Sequence, residues 1–127
     1  MHVDDYATLS GATCVHHFVT IGRFAFIGGL SRVIHDVPPY MLVDGQPARP
    51  KCVNVVGLKR NTFSATAIGS ISEVHRLIYR DKLSPDQARD RFVSEDKITP
   101  EVEQILQFVQ DQRDGEHGRA RERRRAA

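Results

Sequence analysis

Residues 3–38, written in sixes, read VDDYAT, LSGATC, VHHFVT, IGRFAF, IGGLSR and VIHDVP. An aliphatic side chain opens every hexad: Val3, Leu9, Val15, Ile21, Ile27 and Val33. Four residues later stands a small or β-branched one: Ala7, Thr13, Val19, Ala25, Ser31 and Val37. Neither the helical period nor simple strand alternation gives a strict period of six. A short flat strand followed by a corner does, with three such units closing one coil of a triangular prism. The aliphatic residue points into the narrow interior. The residue four later also points inward, near the corner, where only a compact side chain fits. Successive coils then pair backbone to backbone about 4.8 Å apart. Gly22, Gly28 and Asp4 follow the aliphatic position, where a corner is expected to favour small or turn-forming residues.

These hexads make two coils, a prism roughly 10 Å tall. A solenoid usually needs about three repeats and covered ends. Val3 already holds an inward position, so the first coil is expected to present an open edge of unpaired N–H and C=O groups, which favours association. The expectation is an incomplete prism: a fragment, a downstream translation start, or a coil stack completed by another chain.

Beyond Val37 the pattern breaks at Pro38-Pro39-Tyr40, Met41-Leu42-Val43 reads as a last strand, and residues 44–50 read as a turn-rich exit loop. Helical spacing then takes over. Ser64 is an N-cap for a helix to about Arg80, with Ile68, Ile71, Val74, Leu77 and Ile78 on one broad face. Ser84 before Pro85 starts a second helix, to about Ser94. Thr99 before Pro100 starts a third, with Val102, Ile105, Leu106 and Val109 inward and Gly115 and Gly118 at its end. The expected organisation is a truncated prism over 1–50, a helical domain over 51–114 and a disordered Arg-rich tail over 115–127.

Composition narrows the function. The chain has 127 residues, 40% hydrophobic and 27% charged, as in soluble globular proteins. No apolar run is long enough for a membrane span, and the N-terminus lacks the pattern of a signal peptide. Two cysteines without a CxxC or a Cys/His cluster suggest neither a disulfide framework nor a metal site. A reduced, cytoplasmic protein is expected. The net charge of +2 conceals an asymmetry: six arginines fall within residues 113–127, while the rest is nearly neutral. Nucleic acid is therefore not the expected partner of the folded part. Binding through the tail alone would be salt-sensitive and lost on its deletion.

The strings Val3-Asp4-Asp5, Gly11-Ala12-Thr13-Cys14-Val15-His16, Ile34-His35-Asp36-Val37-Pro38-Pro39-Tyr40 and Asn54-Val55-Val56-Gly57-Leu58-Lys59-Arg60 resemble one family, as does Leu77-Ile78-Tyr79-Arg80. It is the acyl-carrier-protein–UDP-N-acetylglucosamine O-acyltransferase family, which opens lipid A synthesis. The resemblance runs from residue 3 to about 110, over its C-terminal portion. It implies a left-handed parallel β-helix, here of about two coils, followed by a C-terminal helical domain. It also implies homotrimers with sites between neighbouring prisms, transfer of a 3-hydroxyacyl group from acyl carrier protein to the 3-hydroxyl of UDP-N-acetylglucosamine, and no cofactor or metal.

The family's general base is a histidine in a coil upstream of the Val3-Asp4-Asp5 hexad, so no residue here is assigned that role. An alcohol attacking a thioester must shed its proton, which neutral imidazole accepts near neutral pH, while a backbone N–H stabilises the oxyanion. By the resemblance, His16, His17, Asn54 and Arg60 bind substrate, and Gly29 sits at the acyl-length position, where glycine leaves room for a longer chain. His17 replaces a glutamine and Pro47 a histidine. Val56 stands where a glutamate is usual and Asn61 where a second arginine is common. His35 beside Asp36 could mimic a base and its orienter, although a turn role suffices there; His75 with Tyr79 reads as packing. The competing reading is a non-catalytic, trimerising remnant that binds UDP-sugar or acyl carrier protein. An N-acyltransferase of a nucleotide sugar shares the scaffold, and the scaffold does not settle the reaction.

Overall fold

The computed structural model describes residues 1–115. Residues 116–127, which include Gly118 and all but the first residue of the expected tail, lie outside the described residues.

The hexads build three faces. Strands β1 (His2–Val3), β2 (Thr8–Leu9) and β3 (Cys14–Val15) each pair in parallel with the strand three hexads later: β4 (Thr20–Ile21), β5 (Phe26–Ile27) and β6 (Arg32–Val33). A partial third coil follows. Val37 bridges Ile21, and β7 (Met41–Gly45) lies parallel on β5 with Leu42 opposite Phe26. Val19, Ile21, Ala25, Ile27, Val33, Val37 and Val43 fill the interior. The six-residue rule thus locates the core of the second coil. The first coil is open: Val3 is 40% and Leu9 39% exposed, because no strand covers that edge among the described residues.

The corners work differently from the expectation. Gly22 and Gly28 are needed for space: a Cβ on Gly22 would lie 2.5 Å from the Pro39 nitrogen, and one on Gly28 would lie 2.8 Å from an Asp44 carboxylate oxygen. The left-handed backbone falls two residues later in the hexad, on Tyr6, Ala12, Phe24 and Leu30 with φ between 56° and 59°, and on Tyr40 at 67°. Bulky residues adopt this conformation at a cost. Compensation comes from a column of rings, with Tyr6 stacked on Phe24 at 4.7 Å and Phe24 on Tyr40 at 6.0 Å. The Arg23 guanidinium lies 5.0 Å from the Phe24 ring centroid.

The expected exit loop is a hairpin instead. β8 (Ala48–Val53) runs antiparallel to β7, with Gly45 opposite Ala48 and a register shift between Leu42 and Val43. Gly45, at φ 105°, makes the turn, and Pro50 is accommodated because β8 is the edge strand of this sheet among the described residues. β8 crosses residue 50, so the chain continues the sheet past the expected boundary.

Helix α1 (Val55–Arg60) follows, then α2 (Ala65–His75), which continues as a π-helical turn over Arg76–Arg80, then α3 (Pro85–Ser94) and α4 (Pro100–Asp114). The expected caps are in place. The Ser64 hydroxyl accepts from Ala67 N–H, Ser84 and Gln87 form a reciprocal capping box, and the Thr99 hydroxyl accepts from Val102 N–H. Gly115 ends α4 at φ 72°. The helices bury Ile71, Val74, Leu77, Phe92, Val102, Ile105 and Leu106 against one another and against Phe24, Tyr40 and Met41 of the coils. That shared core fixes α1 and α2 beside the β2–β5–β7–β8 face.

Candidate functional site

A cleft of about 1180 Å³ lies where this face meets α1 and α2. The sheet supplies Thr8, Phe26, Leu42, Lys51 and Cys52, with Tyr6 and Phe24 at the adjoining corner. The start of α1 supplies Asn54, Val56 and Gly57, and its end supplies Arg60 and Asn61. The α2 helix and its π turn supply Ser72, Glu73, His75, Arg76 and Arg80.

Asn54 anchors this geometry. Its Oδ1 accepts from Gly57 N–H at 3.2 Å, capping α1, and its Nδ2 donates to the Phe24 carbonyl at 3.0 Å, tying the helix to the second coil. Its own N–H donates to the Tyr40 carbonyl at 2.9 Å, which ties it to the third coil as well. Gly57 is required beside it, since a Cβ there would meet Asn54 Nδ2 at 2.5 Å. The six residues of α1 then carry Arg60 to the cleft rim, where Asn61 closes α1 by donating from Nδ2 to the Gly57 carbonyl at 2.8 Å.

The electrostatics are positive. Arg76 is engaged by Asp81 at 3.2 Å and Glu73 at 3.9 Å. Lys51, Arg60 and Arg80 have no carboxylate within 4.0 Å among the described residues. His75, only 8% exposed, lies at the end of α2, its ring 5.3 Å from Tyr79. Its Nε2 is sealed from solvent and has no hydrogen-bond partner among the described residues. Burial, reinforced by Arg80, lowers the His75 pKa below the usual histidine value. Cations on the rim, a neutral imidazole behind them and an apolar floor suit an anionic ligand that also carries an apolar or ring moiety.

Of the site residues expected from sequence, Asn54 and Arg60 come together on this cleft. The other three sit elsewhere on the prism. His16 and His17 follow β3, their rings stacked 4.4 Å apart and continued by Phe18. The His17 carbonyl accepts from the Met1 amine, and the Phe18 N–H donates to His16 Nδ1 at 3.4 Å. Gly29 lies exposed between β5 and β6, where a Cβ would find Gly11 O at 3.5 Å as its nearest neighbour, so the glycine leaves open space. The Asp36 carboxylate accepts the Thr20 N–H at 2.8 Å, which gives it a structural task at the prism exit. Sequence reading passed over Lys51 and Arg80 as site residues and took His75 as packing. No periodicity marks a residue that acquires meaning only when β8 and α2 face each other.

A family model described as UDP-N-acetylglucosamine O-acyltransferase, domain 2, matches residues 36–118. An acyl-[acyl-carrier-protein]–UDP-N-acetylglucosamine O-acyltransferase of Synechocystis is 36% identical over 110 residues, covering 87% of this chain and 40% of that protein. The protein of the same name from Leptothrix cholodnii is 50% identical over 88 residues, covering 69% of this chain and 33% of its own length. In three dimensions the chain is similar to the UDP-N-acetylglucosamine acyltransferase of Bacteroides fragilis, with a TM-score of 0.81, 31% identity, and coverage of 91% of this chain and 44% of that one. The chain therefore spans well under half the length of these relatives.

Proposed function

Since this chain belongs to the UDP-N-acetylglucosamine O-acyltransferase family, we propose that it is the C-terminal part of an enzyme that moves a 3-hydroxyacyl group from acyl carrier protein to the 3-hydroxyl of UDP-N-acetylglucosamine, the first step of lipid A synthesis. In this reading the hexad coils are part of a left-handed parallel β-helix, the β7–β8 hairpin leads out of it into a C-terminal helical domain beginning at α1, and the assembly is a cytoplasmic homotrimer. No helix among the described residues is long and apolar enough to cross a membrane.

The observation that carries the reading is the junction at α1, where the family-like Asn54-to-Arg60 run opens on a large cationic cleft. Arg60 offers paired donors to the pyrophosphate or uracil oxygens. Asn54, after its two internal bonds, retains one amide hydrogen and one lone pair for the ligand. His16 and His17, on a different face, bind substrate across the cleft to a neighbouring protomer, and Gly29 leaves room for the acyl chain. No residue of this sequence is assigned the general base, and the residues named here contribute binding.

Titrating UDP-N-acetylglucosamine into the protein by calorimetry tests the nucleotide end. Arg60→Ala is expected to weaken binding about tenfold or more; equal affinity of parent and variant would sink the assignment. Acyl transfer, followed by mass spectrometry with a long-chain 3-hydroxyacyl carrier protein as donor, separates the two readings of the isolated chain. Product formation would require a base within it, and His16 and His17 would be the first to mutate. A folded sample that binds nucleotide without forming product fits the second reading, a non-catalytic trimerising module. Light scattering checks the trimer, and a stable monomer at micromolar concentration would count against it.

A further inference from the structure

We propose that Lys51 of β8 and Arg80, the last residue of the π-helical turn, complete with Arg60 a three-cation clamp for the diphosphate of the ligand. The inference rests on the nucleotide reading of the cleft and extends it to two residues on other elements.

Three observations carry it. The three residues line one cleft from three separate elements, β8, α1 and the π turn. All three lack a carboxylate partner among the described residues, whereas Arg76, on the same wall, is held by Glu73 and Asp81. Grouped, unpaired cations repel one another, and an anion between them removes the repulsion while taking charge-assisted hydrogen bonds from each. Third, His75 stands on the same wall with a sealed, unpartnered Nε2. A neutral ring there spares the clamp a further like charge. The π turn that begins just after it is the local irregularity that sets where Arg80 emerges.

His75 adds a signature that a purely structural role would lack. Arg80 is the charged group that acts on it, Tyr79 lies against its ring, and Glu73, Arg76, Lys51 and Arg60 are the other charged residues lining the cleft. Burial, with Arg80 adding to it, lowers its pKa and disfavours the imidazolium in the free protein. A bound diphosphate reverses the local field and favours the imidazolium, so binding takes up a proton and tightens as pH falls.

The test uses the full chain and sodium pyrophosphate, titrated calorimetrically at fixed ionic strength. Lys51→Ala and Arg80→Ala are each expected to weaken binding about tenfold, with Lys51→Arg and Arg80→Lys recovering most of it. Both residues are exposed, so unfolding does not confound the comparison. His75→Phe is expected to flatten the rise in affinity between pH 7.5 and pH 5.5 relative to the parent, the titration of the probe being common to both. Unchanged pyrophosphate affinity in both alanine variants would overturn the clamp, as would a parent that does not bind pyrophosphate. An effect confined to acyl carrier protein would overturn it too, by making these residues a protein-docking patch. If pyrophosphate binding depends on Lys51 and Arg80 while UDP-N-acetylglucosamine does not bind, the clamp stands and the nucleotide reading fails. If the nucleotide binds through Arg60 alone, the reverse holds.

Discussion

Replacing Asn54 with alanine should unfasten the helices from the coils. The amide makes two internal bonds, one to Gly57 N–H at the start of α1 and one to the Phe24 carbonyl in the second coil. Losing an N-cap of this type costs about 1 kcal/mol. Leaving the buried Phe24 carbonyl without a donor costs about 1–3 kcal/mol more. The expected loss is about 2–4 kcal/mol, read as the displacement of the urea unfolding curve followed by circular dichroism, with an unchanged slope. At about 4 °C per kcal/mol for a chain of this size, the thermal midpoint should fall by about 8–16 °C. Asn54→Asp separates the two bonds: the carboxylate keeps the cap and suits the helix N-terminus, but it turns an acceptor toward the Phe24 carbonyl. It should therefore be destabilised despite the better cap. A loss under about 0.5 kcal/mol in Asn54→Ala would refute the bridge altogether. Parental stability in Asn54→Asp would reduce it to a cap alone.

Three further expectations follow from the same contacts. Gly57→Ala should destabilise by about 1–3 kcal/mol, since its Cβ meets Asn54 Nδ2 at 2.5 Å. In an Asn54→Ala background most of that penalty should vanish, and strict additivity in a double-mutant cycle would contradict the clash. Gly22→Ala, whose Cβ would meet Pro39 backbone, should cost at least as much, because backbone yields less than a side-chain end; near-neutral denaturation would argue against the crowded corner. Finally, the lowered His75 pKa means that the unfolded chain binds this proton more readily than the folded one. Its contribution to stability is present above the unfolded value near 6.5 and is lost as pH falls through the lower folded value. His75→Phe should therefore be less acid-sensitive than the parent between pH 7 and pH 5, and parallel stability profiles would rule this out.

Much of the fold could be read from residue order because its rules are local. The hexad aliphatics identify the interior of the second coil, and Ser64, Ser84 and Thr99 mark helix starts by chemistry contained within four residues. Reading failed where the cause lay farther along the chain. Gly22 and Gly28 looked like turn glycines but are constrained by Pro39 and Asp44 of the next coil. The left-handed corners passed unnoticed because they fall on Tyr6, Phe24 and Tyr40, which locally disfavour that conformation and are held by one another's rings. Gly45, Pro47 and Pro50 made β8 look like a loop, although it pairs with β7 from Ala48 to Val53 apart from the bulge at Lys51. Helix α1, six residues with a glycine inside, is too short to show a period. The site followed the same division: a contiguous motif gave Asn54 and Arg60, whereas Lys51, His75 and Arg80 become neighbours of it only through the packing of α2 beside the β8 face.

The ring column Tyr6–Phe24–Tyr40 also constrains how such a chain can change its length over generations. Each ring must arrive at a corner in the same backbone state and above the previous ring. Gaining or losing a single codon in the first two coils would therefore rotate every later corner off the column and turn interior aliphatics outward. Only duplications or deletions of whole coils preserve the stack. The one shorter spacing, from Phe24 to Tyr40, occurs where Pro38 and Pro39 replace part of a hexad and the prism gives way to the hairpin. Length variation among natural variants should thus come in coil-sized steps up to that point, and become freely graded only in the surface turns between α2, α3 and α4.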